Sequence, residues 1–199
     1  MQAFSKRLIK WHKKNGRNFL PWQKNKSPYR VWISEIMLQQ TQVETVIPFF
    51  NAFIKEFPDV DKLAKAKLDK VMSCWSGMGY YARARNIHKA AKIVRKKYNS
   101  KLPETINELT DLPGIGLSTA GAIISLGFNK KAAILDANVK RIITRHKQIQ
   151  EDITKSSTEK NLWKISNSLL PSKEHISVYN QALMDLGALV CSKSSPKCH

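Results

Sequence analysis

Cysteine is scarce in this 199-residue chain, acid is sparse beside base, and long apolar runs are missing. Three cysteines (Cys74, Cys191 and Cys198) cannot build a disulfide framework, and a reducing cytoplasm is the expected setting. No stretch approaches the roughly 18 apolar residues of a membrane span. The first nineteen residues, MQAFSKRLIKWHKKNGRNF, have no apolar core and so are not a secretory signal. Being basic and acid-free, they admit an organellar transit reading, but they are poor in Ser and fit a surface helix better. Period-two alternation, repeats, low-complexity tracts and flexible linkers are absent. Residues 1–34 hold nine Lys or Arg and no acid, so Glu35 is the first carboxylate.

What is present is base and core. Lys plus Arg number 34 against 15 Asp plus Glu, a net charge of +19 with a pI near 10.0. An apolar fraction of 42%, with five Trp and seven Phe, excludes disorder. A chain of this length buries roughly 70% of its unfolded surface without staples. Basic runs often serve only solubility, yet this surplus exceeds that need. A polyanion, most often nucleic acid, is the implied partner, with binding that weakens steeply as salt rises.

Periodicity is helical throughout. Val43, Val46, Ile47, Phe50, Phe53, Ile54 and Phe57 recur at three- and four-residue steps until Pro58. Ala84, Ile87, Ala91, Val94 and Tyr98 form a second stripe, opposite Arg83, Arg85, Lys89, Lys92, Arg95, Lys96 and Lys97. Residues 117–127, 139–147, 158–170 and 175–190 continue the pattern. The fold class is all-α with short connections.

Four stretches carry chemistry. Leu112-Pro113-Gly114-Ile115-Gly116 lies between helical patterns. It is either a plain turn or a hairpin whose glycines let a phosphate approach the backbone, with Ile115 plugged into the core. On a basic all-α chain it reads as a helix–hairpin–helix that grips a DNA backbone without reading sequence. Asp136, ahead of Ala137-Asn138-Val139-Lys140-Arg141, is most simply an N-cap, and a cap also sets an anion where a developing cation can face it. Glu35 sits in the apolar run Val31 to Leu38. It is either a partly exposed residue on a polar stripe or a buried acid kept protonated. One neutral and one ionised carboxyl is the pair that glycosidic cleavage asks for. Gln39-Gln40-Thr41-Gln42 and Gly77-Met78-Gly79-Tyr80-Tyr81-Ala82-Arg83 supply amides and aromatics that can wedge a base stack, though Tyr80 and Tyr81 also suit a core.

Taken together, these residues resemble the adenine DNA glycosylases (MutY-type) of the helix–hairpin–helix glycosylase superfamily. The likeness runs from Leu20-Pro21-Trp22-Gln23 and Pro28-Tyr29-Arg30-Val31-Trp32 through the motifs above to Asn180-Gln181-Ala182-Leu183-Met184-Asp185-Leu186-Gly187. It implies a monomeric, two-lobed enzyme, cytoplasmic and nucleoid-associated, acting on double-stranded DNA with A:8-oxoguanine or A:G mispairs. Glu35 would protonate adenine, Asp136 would stabilise the oxocarbenium-like sugar, and Asn138 would support Asp136. Gln40 and Tyr80 match wedge positions, Thr41 a contact to the oxidised guanine, and Trp22, Gln23 and Gln181 the adenine pocket. Arg83, Gly114, Gly116, Ser118 and Lys140 are expected on the DNA face. Ser118 stands where endonuclease III carries a lysine, which favours a water-using, monofunctional enzyme. Ala137 replaces the family's usual glycine.

The resemblance also implies a [4Fe–4S] cluster on cysteines spaced C-x6-C-x2-C-x5-C. Cys191 and Cys198 supply the first pair and the sequence stops at His199, so an incomplete ligand set and a truncated motif are expected. The family's C-terminal NUDIX-like domain is likewise expected to be absent. The expected lobes are residues 20–134, with the hairpin at about 111–127, and residues 1–19 plus 135–199. Glu35 and Asp136 are expected to meet in the cleft between them. The competing readings are a structure-specific DNA-binding module with little or no turnover, and an endonuclease III-like lyase.

Overall fold

Eleven α-helices make up the computed structural model, which describes residues 3–198, and no strand occurs among them. They are α1 (Ala3–Asn15), α2 (Pro28–Met37), α3 (Val43–Glu56), α4 (Val60–Lys65), α5 (Leu68–Trp75) and α6 (Ala82–Lys97). They continue as α7 (Ile106–Thr110), α8 (Leu117–Ala122), α9 (Ala137–His146), α10 (Ser156–Ser168) and α11 (Ile176–Leu189). A π-turn, Ile123–Gly127, extends α8, and 3-10 turns cover Pro21–Gln23 and Lys173–His175. Met1, Gln2 and His199, which the sequence reading assigned to the second lobe, lie outside the described residues.

The chain divides into two compact units, Phe19–Ile123 and Met1–Asn18 with Ile124–His199. The second crossing falls at Ile124 and not at the expected 135. Hydrogen bonds explain the shift. Asn180 Nδ2 donates to Ser125 Oγ at 2.8 Å and to the Ala132 carbonyl at 2.9 Å, and Ser166 Oγ donates to the Ile134 carbonyl at 2.9 Å. The irregular stretch before α9 is thereby bonded to α10 and α11 of its own unit.

In the Phe19–Ile123 unit, α2 is the central helix. Ser27 caps it by accepting from the Arg30 N–H, and Pro28 takes the first turn, where its missing N–H costs nothing. Tyr29, Val31, Trp32, Ile33, Ser34, Ile36 and Met37 are all buried. Phe53 of α3 meets the edges of Phe57 and Trp75, with centroids at 4.9 and 6.0 Å. Tyr29 Oη donates to the Phe57 carbonyl at 2.7 Å and so ties α2 to the end of α3. Cys74 of α5 is half-buried.

In the other unit α1 packs on α11, and α11 on α9. The apolar contacts surround a charged group. Asp185 of α11 is fully buried and accepts from His12 Nε2 at 3.1 Å and from Arg17 N and Nε at 2.9 Å each. Burial works to raise its carboxyl, but these donors outweigh it and hold the group below its ordinary range.

Candidate active site

Asp136 is the N-cap of α9. Its Oδ1 accepts from the Val139 N–H at 2.8 Å, and its Oδ2 from Asn138 Nδ2 at 3.2 Å. Burial pushes this carboxyl above its ordinary value. The Val139 and Asn138 donors and the nearby Arg141 guanidinium oppose that push without cancelling it. The cap therefore holds a carboxyl at a helix start, where the macrodipole favours an anion. Ala137 has no left-handed backbone, so its methyl is accommodated in the first turn.

Asn138 is itself held in place. Its Oδ1 accepts from Arg141 Nη2 at 2.8 Å, and Arg141 also donates to the Gly187 carbonyl at 2.7 Å and the Cys191 carbonyl at 2.6 Å. A Cβ on Gly187 would lie 2.5 Å from Asn138 Cβ, so only glycine lets α11 approach α9 here. Sequence reasoning assigned Arg141 no role, because one arginine in a basic helix looks like its neighbours. Lys140, expected on the DNA face, is ion-paired with Glu159. Gln181 is buried beside Asp185, its Nε2 lying 3.4 Å from Oδ1.

Glu35 belongs to the other unit and is half-buried, the only acid of α2. Near it in sequence, Trp22 is buried and meets Phe50 edge-on at 5.5 Å. Arg30 stacks over Phe50 and donates to the Pro21 carbonyl at 3.0 Å, which fixes the turn that carries Trp22 and Gln23. Gln23 Nε2 is buried without a hydrogen-bond partner.

The glycine hairpin joins α7 to α8. Ile115 is buried as expected, and Gly114 has φ +83° with Asn86 Cβ 3.0 Å from where a Cβ would stand. Gly116 caps α8, with open space over its Cα, and Ser118 is half-buried two residues on.

The expected wedge residues share a backbone peculiarity. Gln40 has φ +57° and Tyr80 φ +50°, both exposed, Tyr80 by 56%. A left-handed backbone costs such residues roughly 1–2 kcal/mol each, and Tyr80 is a bulky residue for which it is an outlier. Tyr81 is also exposed, so neither tyrosine is the core aromatic that sequence allowed. Arg83 departs from expectation. It is buried, and its guanidinium donates inward to the carbonyls of Ile36, Met37, Gln39 and Gly79 and to Thr41 Oγ1. These are protein acceptors, not phosphates.

The cysteines do not fit a cluster site as they stand. Cys191 Sγ accepts from Arg145 Nη1 at 3.3 Å and Cys198 is exposed, two thiols where a [4Fe–4S] cluster takes four. No group of three metal-ligating side chains occurs among the described residues. Among the same residues, no helix is long and apolar enough to cross a membrane.

Comparison with known proteins places this geometry in a family. The pattern of the HhH-GPD superfamily base excision DNA repair proteins matches residues 33–168. An adenine DNA glycosylase of Buchnera aphidicola (subsp. Baizongia pistaciae) is 52% identical over 99% of this chain and 55% of its own length. One from subsp. Acyrthosiphon pisum is 49% identical over 98% of this chain and 55% of its own length. The chain thus spans about half the length of these relatives. The solved structure of a thermostable thymine-DNA glycosylase superposes with a TM-score of 0.87 at 26% identity, covering 98% of this chain and 89% of that one. The all-helical architecture, the glycine hairpin and the capped aspartate are those of a chain that belongs to the HhH-GPD superfamily of base excision DNA repair proteins.

Proposed function

We propose that this chain is the core of a DNA glycosylase that hydrolyses the N-glycosidic bond of adenine mispaired with 8-oxoguanine or guanine. The observation that carries the reading is 52% and 49% identity, over 99% and 98% of this chain, to proteins named adenine DNA glycosylase. The physical arrangement supports it. Asp136 is a half-buried carboxyl oriented by a backbone N–H and by Asn138, the kind of fixed anion that stabilises a cation without reorganising.

The duplex is held by its backbone at the Gly114–Gly116 turn, where the open space over Gly116 admits a phosphate. Adenine leaves the stack, and the unpartnered Gln23 Nε2 offers a donor to the flipped base. Glu35 gives its proton to a purine ring nitrogen. The bond between C1′ and N9 breaks, and its electron pair leaves with the base. The positive charge that develops on the sugar is met by the Asp136 carboxylate, and water adds to C1′ and passes its proton to that carboxylate. The amine that a lyase would use at position 118 is a hydroxyl, which cannot form a Schiff base.

The test is strand cleavage by alkali after incubation with duplexes containing A·8-oxoguanine, A·G or A·T. Cleavage at the first two and none at A·T is expected. Borohydride trapping on oxidised pyrimidines that survives Lys140→Ala would replace this reading with a lyase, and binding without cleavage would leave a binding module.

A further inference from the structure

Arg83 is a heavily engaged side chain of the Phe19–Ile123 unit, and neither the chemistry nor the core accounts for it. Its Nη1 lies 3.0 Å from the Ile36 carbonyl, 2.7 Å from that of Met37 and 2.5 Å from that of Gln39, so it caps the end of α2. Its Nη2 reaches Thr41 Oγ1 at 3.0 Å and the Gly79 carbonyl at 3.2 Å. Its Cζ lies over the Trp75 and Tyr80 rings, 5.4 and 5.2 Å from their centroids. Trp75 Nε1 donates to the same Gly79 carbonyl at 3.1 Å.

The acceptors are not scattered. Gln39 and Thr41 flank Gln40, and Gly79 precedes Tyr80, two exposed residues among the seven non-glycine residues held at positive φ. Strained backbone persists only where its surroundings over-determine it, and it gathers at functional sites. A planar guanidinium can bridge two such turns at once, whereas an ammonium is a point charge that serves one.

We infer that Arg83 is a positioning residue that locks the Gln40 turn to the Tyr80 turn, so that the two side chains enter the duplex as one rigid wedge beside the base left unpaired. The inference rests on the proposed glycosylase reading for its partner, duplex DNA. It does not rest on that reading for its geometry.

The test uses the full chain, wild type and Arg83→Lys. The duplex carries a 2′-fluoro-adenine nucleotide, which resists excision, opposite 8-oxoguanine, with 2-aminopurine next to the oxidised base. Wild-type protein raises the 2-aminopurine emission as the stack opens. The lysine variant is expected to give less than about half that rise, while keeping its affinity for a fully paired duplex within about twofold and its Tm within about 3 °C. On cleavable A·8-oxoguanine duplex its single-turnover rate is expected to fall by about tenfold or more.

An emission rise and rate equal to wild type in Arg83→Lys would overturn the inference, as would a loss of paired-duplex binding in proportion to the loss of rate. Should the lysine variant not fold, Arg83→Gln is read in the same way. Two unfolded variants would assign Arg83 to the fold alone and overturn the inference. A wild-type protein that raises emission yet excises nothing would sink the glycosylase reading and leave the clamp standing. One that raises no emission would sink the clamp.

Discussion

Replacing Asp185 with alanine should cost this protein more stability than its single carboxylate suggests. The side chain is fully buried and accepts four hydrogen bonds, from His12 Nε2, from Arg17 N and Nε and, at 3.4 Å, from Gln181 Nε2, with Arg17 Nη2 ion-paired at 2.9 Å. Its partners are themselves shielded, with side-chain exposures of 6% for His12 and 19% for Arg17. Deleting one member of such a cluster leaves the others desolvated and unpaired, a loss of about 3–5 kcal/mol. At about 2–4 °C per kcal/mol for a domain of this size, Tm should fall by about 6–20 °C. Because the cluster joins α1 to α11, the lysines and arginines of α1 should also become early trypsin sites. The pH dependence follows from the lowered carboxyl. Its folded pKa lies below its unfolded one, so the stabilisation is complete above the ordinary carboxylate range and is lost as pH falls through the folded value. Urea unfolding at pH 7 and in acid reads both effects. A difference under about 1 kcal/mol at neutral pH, or one that widens on acidification, would refute the reasoning.

Asp136→Asn should behave in the opposite way. Asparagine keeps the cap, and removing a carboxyl that burial pushes up should raise thermal stability at pH 7, a gain that disappears below about pH 4, where both folded and unfolded groups are protonated. If wild-type chemistry needs the ionised form, its pH–rate profile should have an acid limb above the ordinary carboxylate value, seen in single-turnover excision. Gly114→Ala forces a methyl onto a backbone at φ +83° and to 3.0 Å from Asn86 Cβ, which should cost roughly 1–2 kcal/mol of stability and weaken binding to undamaged duplex in a titration. Gly187→Ala puts a Cβ 2.5 Å from Asn138 Cβ. It should cost about 1–3 kcal/mol in urea unfolding and slow excision by turning Asn138 away from Asp136.

The long helices were legible because their apolar stripes are long enough to show a period. The sequence reading of residues 43–57 became α3, Val43–Glu56, and that of 175–190 became α11, Ile176–Leu189. The short α4 and α7 were not read, although their caps were written in the chain. Asp59 accepts from the Lys62 N–H and Thr105 from the Glu108 N–H. Asp136 was legible as a cap, since the signal lies within four residues, but the upward push on its carboxyl comes from tertiary burial. Arg83 and Arg141 were opaque for the same reason. Each sits among basic neighbours, and what distinguishes it is a set of carbonyls more than forty positions away. The unit boundary at Ile124 was missed because the bonds from Asn180 and Ser166 that set it are equally remote.

The central claim is that Glu35 and Asp136 perform acid catalysis and cation stabilisation on one adenine nucleotide. Free adenine released from an A·8-oxoguanine duplex, quantified by chromatography under single-turnover conditions with protein in excess, tests it most directly. Wild-type protein should release about one equivalent, and Glu35→Gln and Asp136→Asn should each slow release by about 10²–10⁴-fold, the range of a lost general acid or electrostatic partner. No adenine from wild type, or wild-type rates in either variant, would contradict the account.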